Sequence, residues 1–199
     1  MKKMALILLA GLLPVLSCGC GTSVERMDTN EVKDLSGRWN DTDSRLVADE
    51  MINDSLSRPW YAQAQAKLSR IPVVIVGAVA NSSSEHIATD AFVENLQRSL
   101  INSGKVAFVA NSSERGQMRQ ERLDQDTNAT DDTRKAHGQE TGSDYILTGN
   151  ITSIEDQEGG KKIVYYQVNL KLVDMQSNMI VWNGEKKIKK FVKRSSVGL

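Results

Sequence analysis

The C-terminal part of the chain sets the tightest limit on its fold. Three β-rich segments follow one another there: DYILTGNITSIE, KKIVYYQVNLKLVDM and NMIVWNGEKKIKKF. Gly159-Gly160 separates the first two and Gln176-Ser177-Asn178 the last two. Adjacent glycines between strands make a tight turn, so Gly159-Gly160 reads as a hairpin connection rather than a phosphate cradle. The last two segments read as an antiparallel pair. A chain that ends this way commits to a sheet, and its earlier segments must cover that sheet.

Upstream, helical and strand patterns alternate. In SRLVADEMINDSL, residues Leu46, Val47, Met51, Ile52 and Leu56 share one side at helical spacing, with Thr42 or Asp43 as a capping residue. Pro59 interrupts this helix, and WYAQAQAKL reads as a second. Val73 to Val79 is a β-branched run ending in a polar loop, the pattern of a buried strand. Residues 86–103 read as a helix with Ile87, Phe92, Val93, Leu96 and Leu100 inward and Gly104 as its stop. KVAFVAN is expected to be a second strand, Ser112 or Ser113 to cap a polar helix through Leu123, and TNATDDTRKAHGQETG to hold a short helix ending at Gly142. The expected fold class is mixed α/β (α+β): a single mixed sheet of about five strands with helices packed on it.

The N-terminus carries a different message. Lys2 and Lys3 precede an apolar run from Met4 to Leu16 that is shorter than the roughly 20 residues needed to span a bilayer. A charged start, a short apolar run and small residues at its end read as a secretory signal. Val15-Leu16-Ser17-Cys18 resembles the bacterial lipobox, in which the Cys thiol receives a diacylglycerol and the signal is cut before it. Cys18 is the preferred lipid-attachment residue, because Val15 suits the aliphatic position; Cys20, preceded by Ser17-Cys18-Gly19, is the alternative. The expected organisation is a signal peptide at 1–17, a lipidated polar tether at 18–36 and a globular domain at 37–199. Gly19 rather than Asp follows Cys18, and by the enterobacterial sorting pattern that favours the outer membrane, facing the periplasm. Both cysteines fall in this segment, so the body has no thiol nucleophile, disulfide or Cys-based zinc site.

The body offers little chemistry. Over the whole chain 25 basic and 25 acidic residues balance, against the basic clustering of a nucleic-acid binder. His86 and His137 lie in unrelated segments, His137 in what reads as a polar helix, and neither has a metal-ligand partner at motif spacing. GxSxG, SxxK, Walker and dinucleotide patterns are absent. The expectation is a protein without catalysis, cofactor, metal or small-molecule substrate. Two features remain. Trp39, in Arg38-Trp39-Asn40-Asp41, is expected to anchor the chain to the core while Asn40 or Asp41 helps to cap the first helix. The last strand, GEKKIKKFVKR, reads either as an edge strand protected by its charge or as a basic contact face for an acidic partner or an anionic surface. Lys186, Lys187, Lys189 and Lys190 are the candidate partner-contact residues.

In order along the chain, the lipobox at Cys18, SGRWNDTDSRLVADEMINDSL, VVIVGAVANSS, FVENLQRSLINSGKVAFV, DYILTGNI and QVNLKLVDMQSNMIVWNGEKKIKK resemble the LpoB-type family of outer-membrane lipoproteins, the penicillin-binding protein activators. The resemblance spans roughly 36–192. It implies a fold like the amino-terminal domain of TolB and the periplasmic part of curli-secretion lipoproteins. It also implies docking onto a class A bifunctional penicillin-binding protein, a peptidoglycan synthase whose glycan polymerisation and crosslinking are stimulated. Enterobacterial members carry a long Pro-rich tether; here residues 19–36 contain no Pro and reach at most about 60 Å at about 3.3 Å each. The alternative is a structural or secretion-related subunit like the curli-secretion lipoproteins. A pore of that kind needs extra barrel-forming strands, and no surplus pair is visible.

Overall fold

The computed structural model describes residues 23–29 and 31–193, so Cys18 and Cys20 lie outside the described residues. The chain divides into a unit ending at Glu31 and a unit beginning at Val32. The described residues of the first have no regular secondary structure beyond a turn in which the Glu31 amide donates to the Asp28 carbonyl.

The second unit runs α1 (Asp41–Ser57), α2 (Pro59–Leu68), β1 (Val73–Ser82), α3 (Thr89–Asn102), β2 (Ala107–Phe108), α4 (Ser112–Asn128), β3 (Tyr145–Glu158), β4 (Lys161–Asp174) and β5 (Ile180–Lys193). The strands form one mixed five-stranded sheet in the order β2-β1-β3-β4-β5. β1 runs parallel to β2 and β3, while β3, β4 and β5 are successively antiparallel. The expected mixed sheet is therefore present, with β5 at one edge.

Local chemistry explains the boundaries. Asn40 caps α1: its side chain accepts from the Asp43 amide and the Asp43 carboxylate accepts from the Asn40 amide, each at 3.0 Å. Thr42 and Asp43 thus lie inside the helix, Asp43 as the reciprocal half of a capping box. The same box recurs at α4, with Asn111 as the cap and Glu114 as its partner, so the expected caps Ser112 and Ser113 are helical residues. α4 continues beyond Leu123 to Asn128. The short helix expected in 127–142 is not formed: Ala129 takes an extended conformation that ends α4, and Gly138 has φ +72°. His137 consequently sits in a turn region, not in a helix. The strand expected over KVAFVAN pairs only at Ala107 and Phe108. Gly159 and Gly160, at φ +51° and +77°, make the β3–β4 turn that a pair of glycines favours. At the β4–β5 turn the Asp174 carboxylate accepts from the Gln176 and Ser177 amides at 2.9 Å, an Asx-type closure.

α1 and α3 pack on each other, α3 against β1 and α1 against β5. The covered face of the sheet supplies Val74, Val76, Leu147, Ile151, Val164, Tyr166, Val168, Leu170, Leu172 and Trp182 to the core. Val47, Met51, Ile52, Phe92, Leu96 and Leu100 complete it from the helices. Trp60 of α2 closes one end, edge-to-face on Tyr145 at 5.3 Å, with its indole N–H donating to the Ser55 carbonyl. None of the residues of α4 is buried.

Candidate functional site

The pleat of β5 decides what its lysines can do. Successive strand residues point to opposite faces, and burial alternates accordingly from Trp182 to Lys193. Trp182, Lys186 and Lys190 point toward α1: the Trp182 indole donates to Asp54 at 3.0 Å, Lys186 pairs with Glu50 and Lys190 with Asp43. Lys187 and Lys189 point the other way, in register with Gln167 and Tyr165. The four candidate contact lysines therefore belong to two faces, and the sheet does not bring them together.

Lys190 is an internal cation. Its side chain is 11% exposed, and its ammonium donates to Asp43 at 2.5 Å, Asp34 at 3.1 Å and the Arg38 carbonyl at 3.1 Å. Burial alone would push this ammonium down, but the bonds to Asp43 and Asp34 outweigh it and hold the pKa above the usual lysine value. A lysine held this way fixes the segment before α1. Next to it, Tyr166 is fully buried, and its single hydroxyl proton lies between two acceptors, the Glu85 carboxylate and the Gly37 carbonyl, the latter at 3.0 Å. Burial, then Glu85, raises its pKa. Trp39 covers this cluster. Its ring lies edge-on to Tyr166 at 5.5 Å and Phe92 at 6.0 Å, and its indole N–H donates to Ser44 at 2.6 Å. Trp39 thus packs on the core as expected. Residues 34–40 are pinned by one lysine, one tyrosine and one tryptophan.

The outer face of β3–β5 is built differently. Lys187 pairs with Glu185 at 2.6 Å, and that partner raises its pKa. Across the strands Ile154 stands opposite Tyr165, and Ile163 opposite Phe191. Ile154 and Phe191 are 68% and 63% exposed. Sequence reasoning did not single out this apolar block. Its signal is a period of two: Lys187, Lys189, Phe191 and Lys193 share a face that the run of lysines hides when read residue by residue.

The remaining polar features are satisfied locally. His86 is exposed, and His137 meets Asp126 at 2.7 Å on the surface. Arg119 and Arg122 of α4 both bind Glu140, whose pKa they lower to about 2. The groove between α1 and α3 is lined by polar residues such as Arg45, Asp49 and Arg98, and there the Ser99 hydroxyl donates to Asp49 at 2.5 Å. Among the described residues no group of His, Cys, Asp or Glu could hold a metal ion, and no helix is long and apolar enough to cross a membrane.

No curated protein matches the chain in sequence. Among solved structures, the LpoB C-terminal domain from Salmonella enterica is similar at 16% identity, covering 76% of this chain and 99% of that one with a TM-score of 0.40. The LpoB C-terminal domain from Escherichia coli is similar at 15% identity, with 74% and 99% covered and a TM-score of 0.43. A lipoprotein from Neisseria meningitidis is similar at 14% identity, with 63% and 88% covered and a TM-score of 0.40. The model of the family described as peptidoglycan-synthase activator LpoB matches residues 43–188, from the first turn of α1 to within β5 and well over half of the chain. On that match, the chain belongs to the LpoB family of peptidoglycan-synthase activators.

Proposed function

We propose that this chain is an outer-membrane lipoprotein, anchored through Cys18 and facing the periplasm, that binds a class A penicillin-binding protein and stimulates its synthesis of peptidoglycan. The observation that carries the reading is the match to the activator family over 43–188, which takes in the helices, the sheet and most of β5. The lipobox-like Val15-Leu16-Ser17-Cys18 supports the anchor. All five strands of the described residues sit in one sheet, which leaves no further pair for a pore and supports a docking module over a secretion subunit.

Such a module does no chemistry of its own. It binds the active conformation of the synthase more tightly than the resting one. A tenfold shift in population requires only about 1.4 kcal/mol of differential affinity. The test uses the full-length chain purified in detergent with the class A synthase of the same organism, following lipid II consumption. Faster consumption, saturating with added chain, is the expected result. No stimulation together with no binding at saturating concentrations defeats the reading.

A further inference from the structure

The geometry points to the turn-proximal end of the outer β3–β5 face as the surface that docks the partner protein, with Ile154, Ile163, Tyr165 and Phe191 as its apolar centre. This inference rests on the activator reading above and adds where, and with what chemistry, the contact is made.

The block is contiguous by register. Ile154 on β3 faces Tyr165 on β4, Ile163 lies two residues before Tyr165, and Phe191 on β5 faces Ile163. Directly opposed side chains on one face are about 5 Å apart at Cβ, so the four form one surface across three strands. Two of them are mostly exposed, although the helix-covered face of the same strands holds the buried Val164, Tyr166 and Val168. Contiguous exposed apolar groups that end a polar face mark an interaction site. Inward of the block the same face carries Thr152, Gln167, Asn150 and Asn169 in register, polar groups suited to an interface rim.

The charge around the block selects the occupant. On the β5 side stand Lys189 and Lys193, with Lys187 paired to Glu185 of the same face; on the β3 side Asp156 faces Ile163 and Glu158 faces Lys161. A uniformly anionic bilayer would be drawn to one side and repelled by the other. A protein surface can match both. The fitting partner is a folded module that presents an apolar projection flanked by carboxylates toward β5 and by basic or amide groups toward β3. The tyrosine and phenylalanine supply the large, low-entropy anchors that dominate such contacts, and the lysines speed encounter.

The test measures binding and stimulation of the class A synthase by three forms of the full-length chain in detergent: wild type, Ile154→Ser with Phe191→Ser, and Met179→Ser with Ile180→Ser. The third pair changes equally exposed side chains at the opposite end of the sheet. The first double variant is expected to keep the wild-type thermal midpoint and lose affinity by about 30-fold or more, the scale of a binding hot spot. The second is expected to bind as wild type does. A Lys187→Glu, Lys189→Glu variant is expected to associate more slowly and with a weaker dependence on salt. If wild type stimulates and the folded Ile154→Ser, Phe191→Ser variant does so equally, this surface is wrong while the activator reading stands. If wild type neither binds nor stimulates, both fall. If that variant keeps its synthase affinity but loses binding to vesicles of phosphatidylglycerol and phosphatidylethanolamine, the face serves a bilayer and the inference is overturned.

Discussion

At the scale of single residues, Lys190 is the side chain that most separates structure from surface chemistry. Its neighbour Asp43 is 7% exposed and lies in the first turn of α1. Removing the cation leaves a nearly buried carboxylate without its partner, a change that costs more than the pair itself contributes. Lys190→Met is therefore expected to destabilise the fold by about 3 kcal/mol, and adding Asp43→Asn should recover part of it. Denaturant unfolding of the two variants checks this; an unchanged midpoint for Lys190→Met would show that the buried pair is dispensable. Trp39 belongs to the same cluster. It is half-buried but contacts Phe92 and Tyr166 and donates to Ser44, so Trp39→Ala is expected to cost about 3 kcal/mol, the low end for a truncated core aromatic. A wild-type thermal midpoint for that variant would instead assign Trp39 to an outside contact.

At the scale of elements, α4 stands apart, with none of its residues buried and Arg119 and Arg122 reaching the returning chain at Glu140. The Arg119 hydrogen bond first, then that from Arg122, lowers the Glu140 pKa from 4.5 to about 2. A depressed carboxylate stabilises above its unfolded pKa, and that stabilisation fades as pH falls toward the folded one. Protection of α4 amides from hydrogen exchange should thus hold above pH 4.5 and fade toward pH 2, with the Glu140 carboxyl titrating near 2 by NMR. Titration near 4.5 would show that the two arginines do not hold it. How far the sequence announced these elements follows from how local their causes are. Val73–Val79 and the closing hairpin were legible because β-branched runs and turn residues act within their own segments. The family likeness was legible in the order of segments along the chain. At α1 the reading divided between Thr42 or Asp43 and Asn40 or Asp41, and Asn40 is the cap; at α4 the expected Ser112 or Ser113 lay one or two residues beyond Asn111, although Asn40 with Asp43 and Asn111 with Glu114 carry the reciprocal spacing in plain view. The short helix expected before Gly142 failed because polar residues with no apolar stripe leave helix and turn nearly balanced. The division of the β5 lysines between two faces needed the pleat, and the burial of Lys190 needed α1 in place, so neither could be read from charge density alone.

At the scale of the whole molecule, what matters is how far the docking surface can travel from its anchor. Acylation is expected at Cys18, so Cys18→Ser should leave an uncut precursor without acyl label; the same result from Cys20→Ser alone would move the anchor to Cys20. From Cys18 to the pinned Asp34 the extended chain reaches about 50 Å at about 3.3 Å per residue, and on the proposed lipoprotein reading this length bounds where a partner can be met. Deleting residues 23–30 removes about half of that reach and leaves the cluster of Asp34, Trp39, Tyr166 and Lys190 intact. If the outer sheet face alone makes the contact, the purified deletion variant should stimulate the synthase in solution as the full chain does. In cells a lipid-anchored variant of this kind would have to reach its partner from the membrane, and effective concentration falls to near zero once a linker cannot span the gap. It should therefore fail to replace the wild-type chain in a strain that depends on it, and lengthening the tether with an unrelated polar sequence should restore growth. Full replacement by the shortened chain would show that the folded unit itself covers the distance and that the tether sets no limit.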